Sequence, residues 1–137
     1  MLISPPPYYW QNPPPKRVVS VSYSPSKIRN DWPIPSKEDA KALIAHWAGF
    51  YGVDVPTALC IIEKESGFFS QAKNRVSSAA GLGQDIISTF NSTAKRMGHT
   101  EWNYYEHVFN ADINAQLNMW LMATDGVGHW VVWPKCT

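Results

Sequence analysis

Proline placement sets the first constraint on this chain. Nine of its eleven prolines fall within residues 1–35, in stretches such as "PPPYYWQNPPP" and "SPSKIRNDWPIP". Proline fixes φ and removes a backbone donor, so regular helix is excluded there and polyproline II or irregular coil is expected. "RVVSVSY" (Arg17–Tyr23) alternates like a strand but lies inside this region. Leaving Tyr8, Tyr9, Trp10 and Trp32 in water is unfavourable, which predicts that the segment partly straps onto the rest of the chain. Residues 1–35 therefore read as a proline-rich extension and 36–137 as a single folded unit.

From Ser36 the texture becomes helical. "SKEDAKALIAHWAGFYG" opens on a capping serine, with Asp39 three residues on. Leu43, Ile44, Trp47, Ala48 and Tyr51 recur at helical spacing, and Gly52 closes the run. The next helix starts near Pro56, with Asp54 as its cap. Ala58, Leu59, Cys60, Ile61 and Ile62 surround most of that cylinder, so it is expected to be central and buried, with Gly67 as its stop. "ISTFNSTAKRMG" predicts a third helix ending at Gly98. "ADINAQLNMWLMATDG" predicts a last long helix with Ile113, Leu117, Trp120 and Leu121 on one face. No internal repeat and no other strand pattern is present, so the fold class is mainly α.

Composition narrows the function. A chain of 137 residues that is 45% hydrophobic can bury a core of its own. The formal charge of +1 gives no basic field for nucleic acid. No apolar run approaches the ~20 residues of a membrane span. The start, "MLISPPPYYW", lacks the basic and long apolar regions of a signal peptide, so none is visible. Cys60 and Cys136 are the only cysteines. They read either as two thiols or as one disulfide, which would imply an oxidising compartment. No Cys/His cluster suggests a metal, and no cofactor motif is present.

Chemistry concentrates in "EKESGFFSQAKNRVSSAAGLGQD", Glu63 to Asp85. Glu65 stands at the C-terminal end of an apolar helix, where the helix dipole and apolar surroundings both disfavour its charge. A carboxyl that keeps its proton near neutral pH is what general-acid cleavage of a glycosidic bond requires. A surface glutamate paired with Lys64 or Lys73 is the plainer reading. Glu63 lies about 200° round the helix from Glu65 and reads as solvated or ion-paired. Gly81 and Gly83 bring no side chains, so a ligand can approach the turn's backbone. Gln84 offers a donor and an acceptor. Together these suit an N-acetyl sugar. Asp85 points either way.

The segment resembles the catalytic region of the SLT-type lytic transglycosylases, in the lysozyme-like superfamily. Glu65-Ser66-Gly67-Phe68 matches the end of their catalytic helix. Gly81-Leu82-Gly83-Gln84 matches their Gly-Leu-Met-Gln turn, with Gly83 in place of methionine, and Ser88-Thr89-Phe90 matches the motif that follows. "NADINAQLNMWLM" is similar to their later helix. The resemblance spans about residues 40–133.

It implies a lysozyme-like (goose-type/SLT) helical domain. It also implies a peptidoglycan glycan-strand substrate and an enzyme cleaving the MurNAc–GlcNAc bond to a 1,6-anhydro product. Glu65 would be the catalytic acid, with Ser66, Gly81, Leu82, Gln84, Tyr104 and Trp130 lining the sugar site. A monomer working outside the cytoplasm is expected. The family's Ala-Tyr-Asn-x-Gly motif is missing, because the corresponding region reads "ATDGVGHWVVW" and no tyrosine follows Tyr105. His129, Trp130, Tyr104 or Tyr105 would fill that space. The chain also resembles a short branch with a Trp-rich end and a final cysteine, and that likeness implies a Cys60–Cys136 disulfide. Trp133 is expected in the core against Leu117 and Trp120.

Overall fold

The computed structural model describes residues 27–136. Tyr8, Tyr9, Trp10 and the alternating Arg17–Tyr23 stretch lie outside these residues. The described residues form five α-helices and two 3₁₀ turns: α1 (Lys37–Tyr51), α2 (Val55–Ser66), α3 (Ile87–Arg96), α4 (Tyr104–His107) and α5 (Ala111–Asp125), then turns at Val127–His129 and Trp133–Cys136. No strand forms among the described residues. Only isolated bridges, Lys73 with Ala80 and Ala80 with Asp85, mark the loop between α2 and α3.

The caps follow the sequence. Ser36 Oγ accepts from the Asp39 N–H, and Asp54 accepts from the Thr57 N–H. Asn103 and Asn110 cap α4 and α5 in the same way. Each satisfies a donor that the first helical turn leaves open. Ile86 precedes α3 without a side-chain cap.

One expectation is corrected. Apolar residues nearly surround α2 in sequence, yet only Ala58, Ile61 and Ile62 are fully buried, with Leu59 and Cys60 partly so. The central helix is α5, nine of whose fifteen residues are buried. Its buried set includes Asp112, Asn114 and Asn118 beside Ala115, Leu117, Met119, Leu121 and Met122. A search for one apolar face passes over these polar positions, because a buried amide is tolerated once its hydrogen bonds are made.

Two apolar clusters lie on either side of α5. The first joins Leu43, Ile44 and Trp47 of α1 to Ile61 and Ile62 of α2, with Leu82, Met119 and Trp130. Trp133, expected in the core against Leu117 and Trp120, is instead only partly buried against this first cluster, while Leu117 lies in the second. The second gathers Phe90, Ala94, Tyr104, Val108 and Leu117. Ile28 and Trp32 pack on this second cluster. Trp32 Nε1 donates to the Glu106 carbonyl at 2.7 Å, Arg29 Nη1 donates to Glu106 Oε1 at 2.7 Å, and the guanidinium lies 3.5 Å over the Trp32 ring. The end of the proline-rich segment is thus strapped to the helical unit, as the aromatic content requires.

The segment after α5 is held at both ends. Arg96 on α3 makes a two-pronged ion pair with Asp125 at 2.8 and 2.9 Å. Cys136 is bonded to Cys60 on α2, with the Cα atoms 5.7 Å apart. This disulfide is the pairing that the family resemblance implies.

Candidate active site

An open cleft of ≈ 270 Å³ lies where α2, the glycine turn and the terminal segment meet. Glu65, Gly83, Gln84, Asp85, Ile86, Thr89, His129, Trp130 and Val131 line it. Three separated stretches of sequence thus converge on one concavity.

Glu65 stands one residue before the end of α2. Gly67 at φ 62° and Phe68 at φ 63° then turn the chain sharply, with Phe68 buried beneath. Two consecutive left-handed residues stop the helix and leave Glu65 facing the cleft. Its carboxyl is half-buried, and that burial pushes its pKa above the ordinary carboxylate value. Glu63 behaves as its helical angle predicts: it is exposed, with Lys37 Nζ 3.6 Å from its Oε2.

The glycine turn is shaped by α5. Gly81 has φ 79° and Gln84 has φ 55°. An added Cβ on Gly81 would stand 2.4 Å from Asn114 Nδ2, and one on Gly83 would stand 2.3 Å from Asn118 Cγ. Both glycines therefore clear space for buried amides. Asn114 Oδ1 accepts from the Gly83 N–H at 3.0 Å, and Trp130 Nε1 donates to the Gly83 carbonyl at 3.2 Å. The Gly83 backbone is pinned from both sides.

Gln84 Nε2 donates to the carbonyls of Gly81 and Ala72, at 3.0 and 3.2 Å. The side chain's orientation is set by the turn itself, and Oε1 remains as the acceptor for a ligand.

Asp85 is 3% exposed, and its Oδ2 accepts from Asn118 Nδ2 at 2.8 Å and from Asn114 Nδ2 at 3.1 Å. Burial pushes its pKa up to about 7, against the two amide bonds, and Glu65 adds to the rise.

Of the side chains expected in the sugar site, Glu65, Gln84 and Trp130 meet in the cleft. The others do not line it. Ser66 Oγ turns back along α2 and donates to the Ile62 carbonyl at 3.2 Å. Leu82 is fully buried in the first cluster, and Gly81 is buried against Asn114. Tyr104 is buried against Phe90, and its hydroxyl donates to the Ser78 carbonyl at 2.6 Å. These residues support the walls and are not at the surface a ligand meets. Trp130 is itself 4% exposed, so it is core and wall together. His129 and Val131 bring the terminal segment to the cleft beside Trp130.

Thr89 of the Ser88-Thr89-Phe90 motif lines the cleft, whereas Ile86 and Val131 in its lining, and Asn114 and Asn118 behind the glycine turn, are residues that sequence reasoning missed. The two asparagines had a usable signal: they are four apart in "NAQLN", within an otherwise apolar helix, and so share a face.

Among the described residues no group of side chains could hold a metal ion, and no helix is long and apolar enough to cross a membrane. No curated protein and no solved structure matches the chain. The model of the transglycosylase SLT domain matches residues 42–125, more than half of the chain and the whole stretch that carries Glu65, the glycine turn and α5. On that match the chain belongs to the SLT transglycosylase domain family, a lysozyme-like helical family.

Proposed function

We propose that this chain is a peptidoglycan lytic transglycosylase that cleaves the β-1,4 bond between N-acetylmuramic acid and N-acetylglucosamine, with Glu65 as its acid and base. One observation carries the reading: a half-buried carboxyl with raised proton affinity opens into a cleft, in the Glu65-Ser66-Gly67-Phe68 stretch that resembles the end of the family's catalytic helix.

Glu65 donates its proton to the glycosidic oxygen as the bond to the muramoyl C1 breaks. The resulting carboxylate takes a proton from that sugar's own 6-hydroxyl as O6 closes on C1. The product is a 1,6-anhydro-muramoyl end, and no water is consumed. An intramolecular hydroxyl is held close to C1 by the sugar itself, and that proximity stands in for a second catalytic carboxylate. Gln84 Oε1 accepts from an acetamido N–H, and the indole of Trp130 forms a wall against the sugar.

Family membership supports peptidoglycan as the substrate class and a location on the wall side of the membrane. We read the active form as a monomer. Asp85 in the same cleft favours hydrolysis as the second reading, with a water attacking C1 and a reducing end as product.

Incubation with purified peptidoglycan followed by mass spectrometry tests the proposal. Anhydro ends support it. Ends heavier by one water make the chain a hydrolase. Binding to the wall without fragment release makes it a non-catalytic module.

A further inference from the structure

Residues 28–32 precede the stretch shared with the SLT family, yet they are fastened to it at two places. On one side they are bound to α4. The Arg29 N–H donates to the Tyr105 carbonyl at 2.8 Å, and Arg29 Nη1 and Trp32 Nε1 both donate to Glu106. On the other side the Asn30 carbonyl accepts from Gln71 Nε2 at 2.9 Å, across 41 positions of chain. Burial of Ile28 and Trp32 on the second cluster accounts for the first attachment. The exposed bond to Gln71 adds nothing to that burial.

The residue after Gln71 gives that bond a use. The Ala72 carbonyl accepts from the Gly81 N–H at 2.8 Å and from Gln84 Nε2 at 3.2 Å, so it anchors the glycine turn and the Gln84 amide together. Gln84 needs an anchor. Phe68 and Gln84 are the two non-glycine residues at positive φ among the described residues. A side chain in that region stays there only where its surroundings hold it. For Gln84 the holders are its own Nε2 bonds to Gly81 and Ala72. Two hydrogen bonds and one peptide link thus join the strap to the Gln84 amide. The same loop is gripped farther on by α4, where the Tyr104 hydroxyl donates to the Ser78 carbonyl.

We propose that this strap is a positioning element of the active site. Held on α4 by Arg29 and Trp32, it fixes Gln71 and with it Ala72, so that Gln84 keeps its left-handed backbone and presents Oε1 to the acetamido group of the sugar. A Gln84 set in place before the sugar arrives leaves less ordering for binding to supply. Arg29, Trp32 and Gln71 do not line the cleft and act only through Gln84. The catalytic unit then begins before Ser36, with the strap as part of it. The inference rests on reading Gln84 as a sugar contact, and the proton cycle of Glu65 does not pass through the strap.

The test is a double-variant cycle on the full chain, with Gln71→Ala, Gln84→Ala and the two combined, read by chitooligosaccharide titration and by the kinetics of peptidoglycan solubilisation. Gln71→Ala should weaken binding about threefold to tenfold, the worth of one hydrogen bond, and raise KM to match with kcat unchanged. The combined variant should bind no more weakly than Gln84→Ala alone, because Gln71 acts through Gln84. Trp32→Phe, which frees the strap from the Glu106 carbonyl, should weaken binding in the same non-additive way. Wild-type binding by Gln71→Ala overturns the proposal. So do losses that add, or a fall in kcat at unchanged KM, since both mark the strap as support for the fold at large. Wild-type binding by Gln84→Ala removes the sugar contact beneath the proposal and overturns it at that level instead. If Gln71→Ala does not fold, Gln71→Glu, which keeps the size and sets a carboxylate against the Asn30 carbonyl, takes its place in the cycle with the same outcomes.

Discussion

The Asn118 side chain occupies the space that a side chain on Gly83 would need: a Cβ there would stand 2.3 Å from both Cγ and Oδ1 of the amide. Glycine where the family usually has methionine is therefore coupled to a buried asparagine on α5. Asn118 Nδ2 lies within 2.9 Å of Asp85 Oδ2, Asn114 Oδ1 and the Asn114 carbonyl, and its two N–H groups are shared among these three acceptors, so it cannot move aside without losing them.

Gly83→Met should accordingly destabilise the fold by several kcal/mol, the overpacking cost plus the lost amide bonds. Combining it with Asn118→Ala should recover part of that loss. Chemical denaturation of the two single variants and the double variant measures the coupling. Strictly additive losses would show that the two positions do not compete for space.

Glu65→Gln should lower peptidoglycan cleavage by at least ~10²-fold while leaving folding intact, because the amide cannot give and regain a proton. A variant keeping a tenth of wild-type turnover would remove Glu65 from the chemistry. Glu63→Gln removes only an exposed contact with Lys37 and should change neither rate nor stability by more than ~0.5 kcal/mol.

Reducing the Cys60–Cys136 bond, or changing Cys136→Ser, should cost about 2–4 kcal/mol, since the bond closes a loop spanning 76 positions. The same segment carries His129, Trp130 and Val131 to the cleft, so affinity for glycan should weaken as well. Denaturation with and without reductant, paired with intact mass, reads the first effect. Oligosaccharide titration reads the second, and unchanged affinity in the reduced chain would show that the wall holds without its latch.

Trp130→Ala should cost ~3–5 kcal/mol, because the indole is core as well as wall. Trp130→Phe keeps much of the volume and removes the Nε1–H donated to the Gly83 carbonyl. It should cost ~1 kcal/mol in stability and weaken chitooligosaccharide binding. Equal affinity in Trp130→Phe would take the indole out of the site.

Asp112 makes stability depend on pH. It is 2% exposed, Trp47 Nε1 donates to its Oδ1 at 2.9 Å, and its Oδ2 is buried without a hydrogen-bond partner. Burial pushes its pKa up to about 6, against the Trp47 bond. The folded chain then binds the proton more tightly than the unfolded one, whose aspartates titrate near ~3.9. Stability from this group falls as pH rises through that window, by on the order of 2–3 kcal/mol, and is level above it. Asp112→Asn should flatten the slope of the melting temperature between pH 4 and 6. A slope identical to wild type would exclude Asp112 as its source.

Much of the helical layout was legible in local chemistry. Ser36 and Asp54 cap where capping residues should, and Gly52, Gly67 and Gly98 stop helices where the left-handed conformation is needed. Helix chemistry alone left a surface glutamate as the plainer reading of Glu65, and the structure instead half-buries its carboxyl in the cleft. The strap was legible in part: Trp32 docks, as a large aromatic should. What misled was counting apolar residues. That count made α2 the centre of the fold, whereas α5 holds that place with two asparagines and an aspartate buried along it.

The sequence by itself determined where helices begin and end and which carboxyl stands at a helix terminus. These are local matters, decided by φ preferences, missing donors and side chains within four positions of each other. Only the tertiary structure decided that Gly83 answers to Asn118, that Asp85 opens into the Glu65 cleft, and that the tail's His129, Trp130 and Val131 complete the wall. Each joins residues far apart in the chain, from 20 to 66 positions. Such pairings depend on how three helices and a disulfide exclude water from a shared space, which no local pattern records.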